Sequence, residues 1–344
     1  MKPEDTNIAV LGAGSWGTAL ALHLGQQGYP VNLWVFEPDL AEEMADTREN
    51  ARFLPGHRLP HNVVPSNHID EVLQNRDVVV IVTPSHVIGP LARRLKPLLS
   101  GDPLIVNASK GLEEETLLTV SQVLRRELGD GAKLATLSGP TFAREVARQV
   151  PSTIVAASQN TVNTEAVQAI FTTEKFRVFT SSDPVGVEIG GSIKNVIAIA
   201  AGICDGLGLG HNTRAGLITR GLVEISRIGT AMGARPETFY GLSGLGDLIL
   251  TCTGDLSRNR TVGLKLGQGQ SLSQITAGMQ TVAEGIKTVK SAFALKEKYG
   301  IQASIIEETY RVLYEEKSPA NALEDLMRVQ ISNEFSGVRG IDAT

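Results

Sequence analysis

Apolar residues in the first half of the chain fall in short dense runs, separated by stretches of helical length. Residues 7–11, 31–36, 76–84, 103–109, 133–140, 152–158 and 176–181 each read as a strand. The run RDVVVIVTP at 76–84 is continuous and β-branched, which suits a strand buried on both faces. Residues 15–28 carry Leu20, Leu22 and Leu24 ahead of Gly28 and read as a helix. Strands spaced by helix-length segments imply βαβ units and a mainly parallel sheet. Near residue 190 the rhythm changes. Apolar positions in NVIAIAAGI and AGLITRGLVEISRIG recur at helical spacing, and strand-like runs become scarce. The pattern therefore predicts an α/β, doubly wound domain over 1–189 and an all-helical second domain over 190–344. A length of 344 residues fits two cores better than one.

One place in this pattern carries chemistry at once. Gly12-Ala13-Gly14-Ser15-Trp16-Gly17 follows the first strand and opens the first helix. In that setting Gly12 permits a tight turn, Gly14 lets a pyrophosphate approach the backbone, and Gly17 lets helix and strand pack closely. The N–H groups and partial positive charge of the helix start favour phosphate. The first domain is thus read as Rossmann-type and dinucleotide-binding. Glu37 stands twenty residues past Gly17, at the end of the second strand. A carboxylate there can bond the adenosine ribose and disfavour a 2′-phosphate, or it can be a solvated loop residue. The second glycine series, DGLGLGHN at 205–212, follows no strand and reads as a close-packed loop.

Composition narrows the field. The formal net charge is −5, which offers no nucleic-acid or anionic-membrane partner. Cys204 and Cys252 have neither metal-motif nor disulfide-framework spacing and read as buried thiols in a reducing compartment. The start, MKPEDTN, is polar and unlike a signal peptide, and NVIAIAAGI is too short to span a bilayer. The cytoplasm is the expected location, with no membrane insertion.

Several polar residues lie in apolar surroundings. Lys194, in GGSIKNVIAIAAG, reads as a lysine at the mouth of an apolar helix. Burial lowers a lysine pKa and suits it to acid–base work, although a lysine can also snorkel from a helix end. Asp247, among glycines and aliphatics, can pair with a lysine or cap a helix. Ser257, Arg258, Asn259 and Arg260 form SRNR, which suits either a phosphate grip or a solvated basic helix start. Lys110 and Gly139-Pro140-Thr141 follow strands, where a doubly wound sheet presents its ligand crevice, or where ordinary turns occur. His211 is the sole histidine after residue 190, so a lysine-centred mechanism is preferred to a histidine-centred one.

Taken together, GAGSWGTALA, VTPSHV, SKGLE, SGPTFA, IGGSIKNVIAIAAGICDGLGLGHNTRAGLITRGL, ETFYGLSGLGDLILTCT and LSRNR resemble the bacterial-type NAD(P)-dependent glycerol-3-phosphate dehydrogenases over nearly the whole chain. The resemblance implies interconversion of dihydroxyacetone phosphate and sn-glycerol 3-phosphate, feeding phospholipid synthesis. It implies Lys194 as proton acceptor in the oxidation direction, with Lys110 and Asp247 assisting. It places Lys110, Gly139, Thr141, Lys194, Asp247, Ser257, Arg258 and Asn259 at substrate. It places Ser15, Trp16, Phe36, Lys110, Ala143, Arg258, Val282 and Glu284 at cofactor, beside Gly12, Gly14 and Gly17. Either NAD or NADP fits, since Phe36 cannot bond a 2′-phosphate where some relatives carry a polar or basic residue. A homodimer is implied, and no metal is required. Two rivals stand beside this reading: a related two-domain hydroxyacid or sugar-acid dehydrogenase, and a non-catalytic cofactor-sensing module.

Overall fold

A computed structural model describes residues 2–279 and 283–328. The chain divides into two compact units: residues up to Lys110 with Val120–Pro184, and Gly111–Thr119 with the chain from Val185 onward.

The first unit is built on eight strands: β1 (Ile8–Leu11), β2 (Val31–Trp34), β3 (Val63–Ser66), β4 (Val78–Ile81), β5 (Leu104–Asn107), β6 (Leu134–Ser138), β7 (Ser152–Ala157) and β8 (Phe176–Ser181). Their order is β3-β2-β1-β4-β5-β6-β7-β8. All neighbours run parallel except β6 and β7. The chain starts mid-sheet at β1, winds out to β3, then crosses to β4 and winds the other way. Ligands of such sheets bind at the carboxyl ends of the strands beside this reversal, here between β1 and β4. Every residue of β1, β4 and β5 is buried, which is why these strands read as unbroken apolar runs. β3 escapes the apolar pattern. It is four residues of VVPS, and Pro65 fits only because β3 is an edge strand. The helix Ser15–Gln26 returns from β1 and buries Leu20, Leu22 and Leu24 in the core of the sheet domain.

The second unit is helical in its described residues. Its central helix, Pro184–Gly206, is buried almost throughout. The boundary expected at 189/190 falls inside this helix. Its apolar spacing begins with Val187 and Ile189, before the long NVIAIAAGI run that makes the change visible in sequence. The segment Gly111–Thr119 also belongs here. Gly111 donates its N–H to Ser192 Oγ at 2.9 Å, and Ser192 Oγ donates back to Gly111 O at 3.2 Å. Leu112 joins Ile189 and Ile193 in the second core. A partner 81 residues away leaves no local sequence signal.

NVIAIAAGI is only part of a 23-residue helix that is long and apolar enough to cross a membrane, contrary to the sequence expectation. The most apolar window of that helix is entirely buried inside the protein, the environment of a core helix.

Glycine fixes how this helix meets the helix Arg258–Gly267. A Cβ at Gly202 would stand 2.0 Å from Arg260 O, and one at Gly263 would stand 1.9 Å from Ile199 O. The two backbones therefore touch. In the series 205–212 only Gly206 is packed in this way, with a Cβ position 2.3 Å from Leu264 O. Gly208 and Gly210 instead take φ of +74° and +67° with open space beside them, so they serve the turn rather than packing.

Candidate active site

The glycine turn of the first unit has the shape its sequence implies. Gly12 takes φ +114°, and a Cβ there would come within 2.7 Å of Val82 O. At Gly17 a Cβ would meet Gly12 O at 1.8 Å. Gly14 differs: a Cβ would find nothing within 4 Å. It is the N-cap of Ser15–Gln26, and no side chain caps that helix start. An open concavity over uncapped N–H groups fits a pyrophosphate. Thr83 Oγ1 and Trp16 Nε1, buried without a protein partner, are further polar atoms in this unit. Thr83 borders the turn, with Cγ2 3.2 Å from a Cβ built on Gly12.

A loop that sequence reasoning missed holds this turn. Asn50, fully buried, donates from Nδ2 to Ala13 O and to Thr18 Oγ1, both at 2.8 Å. Its Oδ1 accepts from Phe53 N at 3.0 Å, while Ser15 Oγ donates to Phe53 O at 2.6 Å. The side chain of Ser15 thus anchors a loop. An asparagine in a polar stretch gives no sign of such a role.

Phe36 lies just past β2, 73% exposed, with its ring edge-on to Trp34 at 6.0 Å. Glu37 is the N-cap residue of the helix Pro38–Thr47. Ala143 opens the short helix Ala143–Ala147 and packs against the sheet-domain core. Val282 lies outside the described residues, and Glu284 opens the helix Glu284–Tyr299 of the second unit.

Lys110, Gly139 and Thr141 come together past the ends of β5 and β6. Gly139 O accepts from Lys110 Nζ at 3.3 Å and from Thr141 Oγ1 at 3.2 Å. There is little room for a side chain at 139, since a Cβ would lie 3.0 Å from Ile154 Cα.

In the second unit Lys194 forms an ion pair with Asp247, and the two residues are only 5% and 0% exposed. Lys194 Nζ also donates to Thr251 Oγ1 at 2.7 Å, and that hydroxyl donates to Asp247 O at 2.6 Å. Lys194 sits midway along Pro184–Gly206, not at its mouth, so snorkelling is excluded. One turn earlier, a Cβ on Gly190 would meet Ser243 O at 2.7 Å. Close approach at Gly190 and Ser243 lets Lys194 and Asp247, each four residues on, face one another. A π-helical turn, Leu242–Gly246, delivers Asp247 as the first residue of the helix Asp247–Thr253. Such turns recur at functional sites. Asp247 spends its side chain on Lys194 instead of capping its own helix. Thr251 was not among the sequence candidates, although its i+4 spacing from Asp247 on a helix is the signal that finds it. Burial pushes the Cys252 thiol up to about 12, so it stays protonated beside this pair.

SRNR does mixed work. Ser257 Oγ accepts from Arg260 N at 3.2 Å as the N-cap of Arg258–Gly267. Asn259 Oδ1 accepts from Gly285 N at 3.0 Å. Arg260 binds Asp205 at 2.8 Å and Asp255 at 3.1 Å. Arg258, the first residue of the helix, is exposed.

Comparison with known proteins agrees with this geometry. The family model for the NAD-dependent glycerol-3-phosphate dehydrogenase N-terminus matches residues 7–164, and that for the C-terminus matches residues 183–324. A glycerol-3-phosphate dehydrogenase [NAD(P)+] of Geobacter metallireducens is 53% identical over 322 residues, covering 93% of this chain and 96% of the relative. Its counterpart in Syntrophobacter fumaroxidans is 49% identical, covering 97% and 99%. The crystal structure of glycerol-3-phosphate dehydrogenase from Coxiella burnetii superposes with a TM-score of 0.92 at 38% identity, covering 95% of this chain and 100% of that one. The chain belongs to the NAD(P)-dependent glycerol-3-phosphate dehydrogenase family.

Proposed function

We propose that the protein interconverts dihydroxyacetone phosphate and sn-glycerol 3-phosphate, with Lys194 as the general acid and base. The observation that carries this reading is the buried cluster of Lys194, Asp247 and Thr251. An amine held by a carboxylate and a hydroxyl has a fixed direction and a reserve of acceptors. When bound, the nicotinamide cofactor supplies or takes up the hydride. As the ketone is reduced, negative charge grows on its oxygen, and Lys194 donates a proton there. In the reverse direction neutral Lys194 takes the hydroxyl proton. Asp247 and Thr251 hold the Lys194 nitrogen, limiting the motion it must lose in the transition state.

Lys110, Gly139 and Thr141 are assigned to the substrate, with Lys110 offering a second positive charge to the oxyanion. Arg258 supplies a guanidinium for the phosphate, with the Asn259 amide and Ser257 beside it on the same helix start. Binding the phosphate away from the reacting carbon positions that carbon. The glycerol 3-phosphate formed serves phospholipid synthesis in the cytoplasm.

Initial rates of NADH and NADPH oxidation test the reading, using dihydroxyacetone phosphate alongside a panel of keto acids and sugar acids. Turnover of dihydroxyacetone phosphate alone is expected. Turnover of a keto or sugar acid instead would favour a related dehydrogenase. Tight cofactor binding with no turnover of any substrate would favour a sensing module.

A further inference from the structure

The end of β2 is where a doubly wound sheet of this kind receives the adenosine ribose. The local sequence there, Phe36-Glu37-Pro38-Asp39, contains no cation. Phe36 is apolar, and Glu37 suits a ribose diol but repels a phosphate. The fold nevertheless brings a cation to this place. Arg52, thirteen residues beyond Asp39, puts Nη2 2.7 Å from Asp39 Oδ2. Glu37 and Glu43 add to the negative surroundings of its guanidinium. The Arg52 and Asp39 side chains are 38% and 70% exposed, so this pair is weak and opens easily.

The backbone of Arg52, in contrast, is held. Asn50 and Phe53 flank it, and both are hydrogen-bonded to the glycine turn at Ala13, Thr18 and Ser15. The loop that carries the arginine is thus tied to the turn that would hold the pyrophosphate. Its guanidinium fork matches a phosphate in shape and charge.

We infer that Arg52 is the residue through which this chain accepts the 2′-phosphate of NADP(H), and that Asp39 competes for it and so favours NAD(H). The inference rests on the reading of Gly12–Gly17 as the dinucleotide turn. Accepting the phosphate requires Arg52 to exchange one carboxylate for a more highly charged anion beside Glu37. Both cofactors are therefore usable, and the preference is set by charges outside the glycine motif.

The test is a binding titration of NADPH and NADH by fluorescence, with adenosine 2′,5′-bisphosphate and ADP as competing ligands, for wild type, Arg52→Ala, Arg52→Lys and Asp39→Asn. Arg52→Ala is expected to weaken NADPH and the bisphosphate about tenfold or more while NADH and ADP change less than about twofold. Arg52→Lys should fall between wild type and Arg52→Ala, because a point charge replaces a fork. Asp39→Asn should tighten NADPH and the bisphosphate selectively. Equal losses for both cofactors in Arg52→Ala, no loss for either, or a wild type that binds NADH but not NADPH would each overturn the inference. Failure of the wild type to bind either cofactor would instead remove the dinucleotide reading of the turn.

Discussion

The glycine turn of the first unit and the lysine pair of the second are built by opposite means. The turn is a backbone shape. Gly12 and Gly17 create it by lacking side chains, and Gly14 leaves open space beside it, within six consecutive residues. The pair is a meeting of side chains from two helices, 53 residues apart in sequence, and it exists only once both helices are buried. Damage to the turn should act on shape and space, whereas damage to the pair should act on charge.

Lys194→Ala should give the largest effect. Loss of a positioned acid–base group is expected to lower turnover about 10²–10⁴-fold. It should also destabilise the protein by about 3–5 kcal/mol, because Asp247 is left buried without its cation. Steady-state rates, denaturant unfolding and an NADH titration check this together. Wild-type turnover in a folded variant would end the assignment, and unaltered NADH affinity would confirm that the two sites fail independently.

Two glycine variants separate packing from space in the turn. Gly17→Ala forces a Cβ against Gly12 O and should cost about 1–3 kcal/mol of stability together with nucleotide affinity. Gly14→Ala enters open space, so its melting temperature should stay near that of wild type while nucleotide binding weakens. If Gly14→Ala bound NADH and NADPH as tightly as wild type, the open concavity would not be the phosphate site.

A second buried carboxylate sharpens the charge side of the comparison. Asp247 is ion-paired with Lys194, whereas Glu224 accepts from the backbone N–H groups of Ile305 and Ile306, at 2.8 and 3.1 Å, where the helix Ser304–Tyr314 begins, and feels Arg227 and Arg220 through their charge. Burial pushes Glu224 up to about 7 from 4.5, against the opposing pull of those N–H bonds. A folded-state value above the unfolded one means that the contribution is complete below pH 4.5 and is lost as pH rises through 7. Relative to Glu224→Gln, wild type should therefore lose about 3 kcal/mol between pH 4.5 and pH 8. Parallel stability profiles for the two proteins would show that Glu224 does not titrate in this range.

Ser257→Ala is the smallest expected change. Removing the N-cap oxygen should cost about 1 kcal/mol. A rise in the Michaelis constant for dihydroxyacetone phosphate beyond what Arg260 repositioning explains would show that this hydroxyl also reaches substrate.

Legibility followed the same division. Seven of the eight strands, the helix after β1 and the glycine turn could be read locally, since apolar period and glycine spacing are local properties. β3 could not, because four edge residues with a proline carry almost no pattern. Lys194 and Asp247 stood out as charges among aliphatics, but Thr251, Asn50 and Ser192 did not. Small polar residues look alike in sequence whether they face solvent or bridge two buried elements.

The sequence by itself determined the βαβ winding, the glycine turn that opens the first helix and the identity of the charged residues set in apolar helices. Tertiary structure decided which of those charges meet, where an arginine arrives beside the end of β2, and that Gly111–Thr119 joins the helical core. The physical reason is range. Backbone shape and amphipathic period are fixed by neighbours a few residues apart, whereas a hydrogen bond or ion pair between distant residues depends on packing that brings two backbones to within a few ångströms.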